Sequence, residues 1–162
     1  MRIIVTGVPG CGKTTLATRL AADLGVRYLG KDQIKEALWD AIGPGDITWS
    51  HELGAAASVA LLHLTGALDD AVVDHPVPSA HSEEWRALAD VVEVHVRCAP
   101  EVGRERYASR NRHPCHFDQD RITDYDVWLD DDAKRAPLGP RLDVDSSDEV
   151  DVTPIVEWVR SL

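Results

Sequence analysis

A run of small residues around one lysine, GVPGCGKTT at positions 7–15, carries the clearest chemical signal in the sequence. It fits the pattern G-x-x-x-x-G-K-[ST], with Gly7, Gly12, Lys13 and Thr14 at the fixed places. Glycines let the backbone turn sharply, so successive N–H groups can point inward and surround an anion. The lysine can reach the β- and γ-phosphates of a nucleotide, and the threonine hydroxyl can ligate Mg²⁺. The stretch therefore predicts a binding loop for a nucleoside triphosphate.

The loop lies in the context that this motif requires. The apolar residues Ile3, Ile4 and Val5 predict a strand before it, and a helical pattern follows it. An ordinary glycine-rich turn between a strand and a helix is the alternative interpretation. The full motif in this context favours nucleotide binding. We expect the nucleotide to contact the following loop residues: Gly7, Val8, Pro9, Gly10, Cys11, Gly12, Lys13, Thr14 and Thr15.

Composition and charge limit the class of protein. A length of 162 residues with 44% hydrophobic and 28% charged residues is ordinary for one globular domain. The net charge of −11 argues against nucleic acid as a partner, because such binding depends on Lys and Arg against phosphates. No stretch approaches the roughly 18 apolar residues of a membrane span. No signal peptide precedes the first strand, and three scattered cysteines suit a reducing compartment, so we expect a cytoplasmic protein without a membrane partner.

Short apolar strands alternate with amphipathic helices, which indicates an α/β fold with a parallel sheet. The predicted strands are Arg2–Thr6, Arg27–Leu29, Ala71–Asp74, Val91–Arg97 and Arg141–Asp145. Helices are predicted near 13–24, 32–40, 50–69, 81–90, 100–111, 122–134 and 154–161. We expect Ser50 to cap the third helix and Thr153 to cap the last, with Pro154 at its first helical position.

Two aspartates follow predicted strands, at the edge of the sheet where ligands of open α/β folds bind. Asp32 could accept the proton of an attacking hydroxyl, and capping of the next helix is an equally good interpretation from the residue alone. Asp74 ends the strand AVVD, as the aspartate of a Walker B strand does. It would orient Mg²⁺ beside the Thr14 hydroxyl; a solvated aspartate at a strand end is the alternative.

Four arginines fall within nine residues, at positions 104, 106, 110 and 112. Arg106 and Arg110 are four apart, so a helix over 100–111 would place them on one face. Arginines that close over a γ-phosphate neutralise the charge that develops during transfer. A solvated basic face, paired with neighbouring glutamates, is the alternative.

The order of the phosphate loop, KDQIKEAL, VVD and RERYASRNRHPCH resembles a family of small P-loop kinases. This family groups chloramphenicol phosphotransferase-like, zeta-toxin-like and polynucleotide-kinase-like enzymes. The resemblance covers nearly the whole chain, although only the phosphate loop is a sharp motif. It implies a three-layer α/β fold of the P-loop NTPase type, with a five-stranded parallel sheet of order 2-3-1-4-5 and helices on both faces. Residues 1–162 would form a single kinase domain, with the acceptor-binding region at about 32–70 and a helical lid at about 104–122.

The resemblance also implies roles for particular residues. The family's catalytic base, an aspartate just after the second strand, corresponds to Asp32. Many members have an acceptor-contacting arginine three residues later, where this chain departs with Lys35. The lid arginines correspond to Arg106 and Arg110, and the loop beside adenine corresponds to the segment containing Ser146. The histidine after Asp74 is a second departure, because the family more often has a small residue there.

The charges of the expected acceptor region restrict the acceptor. No arginine occurs between Arg27 and Arg86, which leaves Lys31 and Lys35 as the only basic side chains there apart from histidines. Because arginine forks recognise phosphates, this argues against nucleoside-monophosphate kinases and, less firmly, against polynucleotide kinases. We therefore predict a neutral or cationic hydroxylated small molecule. Pocket walls could come from the following residues, for which core packing is the alternative: Trp39, Trp49, Trp85 and His51.

These observations predict transfer of the γ-phosphoryl group from Mg-ATP to an alcohol, with ATP and Mg²⁺ as cofactors. The predicted catalytic residues are Asp32, Lys13, Arg106 and Arg110; the substrate-binding residues are Asp32, Lys35 and Asp74; the metal-holding residues are Thr14 and Asp74. Arg106 and Ser146 would also contact the nucleotide. Two alternatives stay open: an ATP-binding or ATPase regulatory module without an acceptor, and a polynucleotide 5′-hydroxyl kinase. The segment HPCH at 113–116 lacks the four ligands of structural zinc, so we assign it to the lid.

Overall fold

The computed structural model describes residues 1–162 and contains one five-stranded parallel sheet. Its strands are β1 (Arg2–Thr6), β2 (Arg27–Gly30), β3 (Ala71–Asp74), β4 (Val91–Arg97) and β5 (Arg141–Asp145). The strand order is β2-β3-β1-β4-β5, and every neighbouring pair is parallel. The predicted fold and strand order are confirmed.

Seven helices connect and cover the strands. They are α1 (Lys13–Leu24), α2 (Lys31–Ile42), α3 (Ile47–Gly66), α4 (Ser82–Arg86), α5 (Pro100–Ser109), α6 (Tyr125–Lys134) and α7 (Thr153–Arg160). Three 3₁₀ segments occur at Ser79–His81, Pro114–His116 and Asp118–Asp124. None of the helices combines the length and apolar character that crossing a membrane needs.

Both faces of the sheet are buried. On β1, Ile3 and Val5 pack on one side with Leu20 of α1, whereas Ile4 packs on the other side with Leu61 of α3. This alternation follows from the two-residue period of a strand and explains why β1 is apolar throughout. Because helices cover both faces, the ligand-accessible part of the sheet is the edge where the strands end.

Two predicted helix caps are wrong. Helix α3 begins at Ile47, and the carboxylate of Asp46 caps it by accepting a hydrogen bond from Trp49 N at 2.9 Å. Asp46 directly follows the Gly43-Pro44-Gly45 break, so α3 begins immediately after the break and not four residues later. Ser50 lies inside the helix and is buried. Helix α7 has Val152 at the N-cap, and its side chain makes no capping bond.

The lid segment differs from the prediction in one respect that matters for the site. Helix α5 ends at Ser109, and Arg110 has extended backbone angles (φ −73°, ψ 144°). The prediction that Arg106 and Arg110 share a helix face is therefore wrong. The chain turns back after Ser109, which brings the Asp118 carboxylate to the guanidinium of Arg110.

Candidate active site

The phosphate loop joins β1 to α1, and its glycines allow the backbone conformation that the loop adopts. Gly7 and Gly10 have φ of 127° and 88°, a region that favours glycine. A Cβ at Gly7 would collide with the carbonyl oxygen of Val96 in β4. A Cβ at Gly10 would collide with the carbonyl oxygen of Gly103 in α5. The loop therefore lies directly against β4 and α5, and this close packing is possible because glycine occupies both positions.

Lys13 and Thr14, the first residues of α1, meet the end of β3 beneath this loop. Lys13 Nζ donates a hydrogen bond to Val8 O at 2.9 Å. Burial lowers the pKa of Lys13, and the charge of Asp74 opposes that shift. Thr14 Oγ1 donates to Asp74 Oδ2 at 2.5 Å, and Tyr28 OH donates to the same oxygen at 3.3 Å. Burial raises the pKa of Asp74, and the nearby Lys13 limits the rise. The expected Thr14–Asp74 pair is brought together.

One cavity of about 610 Å³ opens over the loop. Twelve of the predicted site residues line it: Gly7, Val8, Pro9, Gly10, Gly12, Lys13, Thr14, Asp32, Lys35, Asp74, Arg106 and Arg110. The phosphate loop and the proposed base Asp32 thus face the same space. The cavity has the size and concave shape of a small-molecule site.

Three predicted nucleotide-contacting residues lie outside the cavity lining: Cys11, Thr15 and Ser146. The side chain of Cys11 points into the core, with its Sγ 3.2 Å from Sγ of Cys98. Ser146 is buried, and its Oγ donates to Cys11 O at 2.7 Å. The Ser146 side chain therefore supports the phosphate loop from behind, and contact of this residue with the nucleotide stays a prediction.

The predicted aromatic walls are also placed differently. Trp39 and Trp85 are buried in the core, and neither they nor Trp49 and His51 line the cavity. The aromatic lining comes instead from Tyr107 of α5 and Trp128 of α6. The alternative interpretation, core packing, holds for Trp39 and Trp85.

Asp32 lies in the first turn of α2, whose N-cap is Gly30, so it does not cap the helix. Its side chain is 42% exposed. Asp32 Oδ2 accepts a hydrogen bond from Arg112 Nη1 at 2.5 Å, and Asp32 Oδ1 lies 3.8 Å from Lys31 Nζ. Burial raises the pKa of Asp32, but the positive charges of Lys31, His116 and Arg112 outweigh it and lower the pKa to about 2. The carboxylate is therefore ionised at neutral pH.

Asp118 connects the lid arginines to each other. It accepts two hydrogen bonds from Arg110 and two from Arg112, all at 2.9 Å. These bonds hold the pKa of Asp118 well below its usual range, although burial acts against them. The Arg110 guanidinium also lies 4.0 Å from the ring centroid of Tyr107. Asp32, Arg112, Asp118 and Arg110 thus form one continuous network along the cavity.

Arg106 does not take part in the Asp118 network and binds a different part of the chain. Its Nη1 donates to Ser146 O at 2.7 Å, and its Nη2 donates to Ser147 O at 2.9 Å. It therefore binds the loop after β5, the loop that the resemblance assigns to the adenine side. Arg106 and Arg110 both line the cavity, but the structure gives them different partners.

Basic side chains reach the Asp32 side of the cavity from outside the expected acceptor region. Arg112 and Arg121, both from the segment after α5, line the cavity together with Lys31 and Lys35. The premise that this part of the site has only two basic groups is therefore wrong. Arg112 belongs to the arginine cluster, so a partial signal for it was present in the sequence, whereas Arg121 lies in an ordinary polar stretch without any such signal.

The segment 113–116 packs on α2. His116 Nε2 lies 2.8 Å from Glu36 Oε1, and His113 Nε2 lies 3.1 Å from Asp40 Oδ1. Lys35 Nζ donates to Ser50 Oγ at 2.7 Å, and Ser50 Oγ donates to Cys115 O at 2.5 Å. These bonds attach the lid segment to α2 and α3.

Comparison with known proteins agrees with this architecture. A family model described as an AAA domain matches residues 3–128. A solved structure from Chloroflexus aurantiacus, described as a "putative kinase", is 30% identical, with a TM-score of 0.85 over 99% of this chain and 96% of that chain. Shikimate kinase from Bacteroides thetaiotaomicron shares the fold, with a TM-score of 0.65 at 19% identity over 99% of this chain and 97% of the other.

A curated relative, cytidylate kinase from Ignicoccus hospitalis, is 30% identical over 95 residues. The match covers 58% of this chain and 46% of the relative, so it spans less than half of that protein's length. The match to the family model, in contrast, covers most of the chain from the first strand through the lid. The chain therefore belongs to this AAA domain family, within the P-loop kinases.

Proposed function

We propose that the protein transfers the γ-phosphoryl group of ATP to a hydroxyl group of a small molecule, with Asp32 as the general base. The single observation that carries this proposal is the position of Asp32 on the same cavity as Lys13 and the phosphate loop. Each of these two charges shifts the pKa of the other side chain, which indicates that they are close in space. An alcohol between them would face a carboxylate on one side and a phosphate on the other.

The low pKa of Asp32 fits a particular timing of proton transfer. A carboxylate with a pKa of about 2 is ionised throughout the physiological range but is a weak base. In a loose phosphoryl-transfer transition state the attacking hydroxyl gains acidity only as its bond to phosphorus forms. Asp32 would therefore first orient the hydroxyl and accept its proton late in the step.

Thr14 and Asp74 fit the binding of Mg²⁺. Both present oxygen atoms, they are in direct contact, and a magnesium site commonly uses few protein ligands because it keeps waters and substrate phosphates. When bound, the ion would neutralise negative charge on the phosphates. Lys13 would add a positive charge from the start of α1, where the helix dipole also favours an anion.

The remaining chain would supply the acceptor region and the lid. The acceptor would lie against α2 and α3, within residues 32–70, and under the segment 104–122. Closure of this segment would exclude water, which otherwise competes with the acceptor for the phosphoryl group. Of the two Asp32 oxygens, Arg112 binds Oδ2 alone, so the hydroxyl would donate to Oδ1, which accepts no hydrogen bond in the structure.

The comparisons support a kinase and leave a second candidate. The partial match to cytidylate kinase favours transfer to a phosphate rather than to a hydroxyl. A phosphate acceptor needs no general base, and the Asp32 carboxylate would repel it at the point of attack. For this reason we favour a hydroxyl, and substitution of Asp32 separates the two candidates.

The test uses Asp32→Asn, with Asp23→Asn as a matched control, because Asp23 is an exposed aspartate of α1 that lies outside the cavity and the lid. Labelled ATP is offered to nucleosides, aminoglycosides, chloramphenicol-type alcohols, sugar acids, oligonucleotides and cytidine monophosphate. Asp32→Asn should lower transfer to an alcohol by about 10²–10⁴-fold, because a positioned base contributes that much. Affinity for ATP should stay within about threefold, and Asp23→Asn should behave like the parent. Transfer by Asp32→Asn at the parent rate contradicts the proposal, and transfer to cytidine monophosphate alone favours the second candidate.

A further inference from the structure

We propose that the acceptor carries an anionic group, a carboxylate or a phosphate ester, which Lys31, Arg112 and Arg121 bind beside the hydroxyl that faces Asp32. This inference rests on the proposed kinase function and names the substrate class of the same site. It replaces the sequence-based expectation of a neutral or cationic acceptor.

The charge of the cavity differs in sign from the charge of the protein. Seven lysine and arginine side chains line it: Lys13, Lys31, Lys35, Arg106, Arg110, Arg112 and Arg121. Five acidic side chains oppose them: Asp32, Asp74, Asp118, Asp131 and Asp132. The lining thus carries two more positive than negative charges, whereas the whole chain carries −11. A concave positive region on an acidic protein attracts anions.

Only part of this positive charge is explained by the nucleotide. Lys13 belongs to the phosphate loop, and Arg106 binds the loop after β5. Lys31 lies on the opposite side, against α3: a Cβ at Gly54 would be 3.6 Å from Lys31 Nζ. The charges of Arg121 and Lys35 lower the pKa of His51, also in α3, after the effect of its own burial. Lys31, Lys35 and Arg121 therefore lie on the side of the cavity next to α2 and α3, where the acceptor is proposed to bind.

Two of these cations have hydrogen-bond donors without protein partners. Lys31 Nζ makes no hydrogen bond to the protein, and its nearest carboxylate oxygen is 3.8 Å away, although its side chain is only 19% exposed. Arg121 uses Nε for a bond to Asp124 at 3.1 Å, and its two terminal nitrogens bind no protein atom. Partly buried charges with unused donors are costly unless a ligand satisfies them.

The chemistry of these two groups suits an oxyanion. Arg121 is 26% exposed, and its guanidinium lies 5.0 Å from the ring centroid of Trp128, which restricts its orientation. A planar guanidinium next to an ammonium group can bind two oxygens of one carboxylate or phosphate. Burial lowers the pKa of Lys31, and the neighbouring Arg121 and Arg112 add to this effect against the charge of Asp32. A bound anion would relieve this repulsion, whereas a cationic acceptor would increase it.

An anion would also compete for Arg112. In the structure this residue is bonded to Asp32 and Asp118 at once. If the acceptor's anionic group takes over the bond from Arg112 to Asp32, Oδ2 of Asp32 becomes available to the neighbouring hydroxyl in addition to Oδ1. The same group would thus hold the acceptor in place and free the second oxygen of the base.

A binding experiment tests this inference without knowledge of the natural acceptor. The phosphate loop is first saturated with Mg²⁺ and the non-hydrolysable analogue AMP-PNP, so that added anions cannot bind there. Methyl phosphate, acetate and methylammonium are then titrated separately, and binding is followed by amide chemical shifts in NMR spectra. The variants are Lys31→Gln and Arg121→Gln, with Arg104→Gln as the control, because Arg104 bonds Asp126 outside the cavity.

We expect at least one anion to bind the parent and Arg104→Gln equally. Loss of one charge-assisted contact should weaken its binding roughly tenfold in Lys31→Gln and in Arg121→Gln. The stronger of the two anions identifies a phosphate ester or a carboxylate as the group that the site prefers. Absence of binding by both anions, equal binding by all variants, or tighter binding of methylammonium would overturn the inference.

Transfer assays provide a second readout. Glycerol, glycerate, glycerol 3-phosphate and 2-amino-1,3-propanediol differ mainly in charge, and labelled transfer should favour an anionic member in kcat/KM. A preference for the neutral or cationic member contradicts the inference, and if none is phosphorylated the binding result decides. Failure of the anion tests with loss of transfer in Asp32→Asn would leave the kinase proposal intact. Parent-like transfer by Asp32→Asn would instead refute the kinase proposal whatever the anions do.

Discussion

The buried ion pair between Glu93 of β4 and Arg135 after α6 offers the sharpest test of how the site is held. Both side chains are fully buried, and Arg135 Nη2 donates to Glu93 Oε1 at 2.5 Å. Thr6, which immediately precedes the phosphate loop, donates to the same oxygen at 2.5 Å, and Leu138 N donates to the other oxygen at 2.9 Å. The pair thus joins the segment after α6 to β4 and, through Thr6, to the end of β1 that leads into the phosphate loop.

Arg135→Met should remove the positive partner and leave a buried carboxylate. We expect a loss of about 3–5 kcal/mol in the free energy of unfolding, the usual cost of breaking one side of a buried pair. The protein should remain folded, because a domain of this size is typically stable by about 5–15 kcal/mol. Arg141→Met is the matched control: Arg141 pairs with Asp143 where the side chains are 22% and 40% exposed, so its loss should cost at most about 1 kcal/mol.

The pH dependence gives this prediction a definite sign. In the parent, burial would raise the pKa of Glu93, but bonds from Arg135 and Thr6 hold it below its ordinary value of 4.5. That contribution to stability is present above pH 4.5 and is lost as the pH falls. Without Arg135, burial should raise the pKa of Glu93 above 4.5, so the variant should lose stability as the pH rises. The deficit relative to the parent should therefore grow from acid to neutral pH, by at most about 1.4 kcal/mol per pH unit.

Urea unfolding of the parent, Arg135→Met and Arg141→Met between pH 5 and 8 measures this difference. The double variant Glu93→Gln/Arg135→Met keeps an acceptor for Leu138 N and removes the buried charge. It should recover a large part of the stability that Arg135→Met loses. A deficit in Arg135→Met no larger than in Arg141→Met, or one that does not change with pH, would refute the reasoning.

Two further predictions concern stability. Gly10→Ala should destabilise the protein by at least about 1 kcal/mol more than Gly25→Ala, because both positions have positive φ but only position 10 would meet a carbonyl oxygen; equal losses in urea unfolding would contradict this. His75 is neutral in the folded protein, because burial lowers its pKa to about 3, whereas the unfolded chain takes up a proton near pH 6.5. Stability should therefore fall as the pH drops from about 6.5 towards 3, and His75→Leu should flatten that part of a plot of Tm against pH, where an unchanged slope would argue against a neutral His75.

The sequence predicted those parts of the structure that short-range patterns determine. All five strands were placed within one residue of their observed ends, because apolar residues predominate in β1, β3 and β4 and turn residues or helix starts bound the shorter or more polar β2 and β5. The phosphate loop was also predicted from a local pattern, because Gly7 and Gly10 adopt positive φ and pack against backbone carbonyl oxygens, which no larger residue could do without strain. The cap of α3 was wrong because two candidates, Asp46 and Ser50, lie close together, and Ser50 is instead used in a tertiary bond to Cys115 O.

The hydrogen-bond partners of the lid arginines could not be predicted from the sequence. Arg106 and Arg110 were paired by their spacing, but the end of α5 at Ser109 sends them to different partners. Arg112 and Arg121 reach the Asp32 side only because the chain folds back over α2 and α3. That path depends on contacts between residues far apart in the sequence, such as Arg112 with Asp32, which local patterns do not contain.

The close packing of Gly10 against Gly103 makes a residue outside every motif part of the phosphate loop's support. A Cβ at Gly103 would meet the hydroxyl of Tyr125 and Sγ of Cys98, so this position in α5 has no room for a larger side chain. A variant with a side chain here would push α5 away from α6 or towards the loop. A mutational survey limited to the GKT motif would not detect this dependence. A substitution at position 103 could abolish activity although the phosphate-loop motif is unchanged.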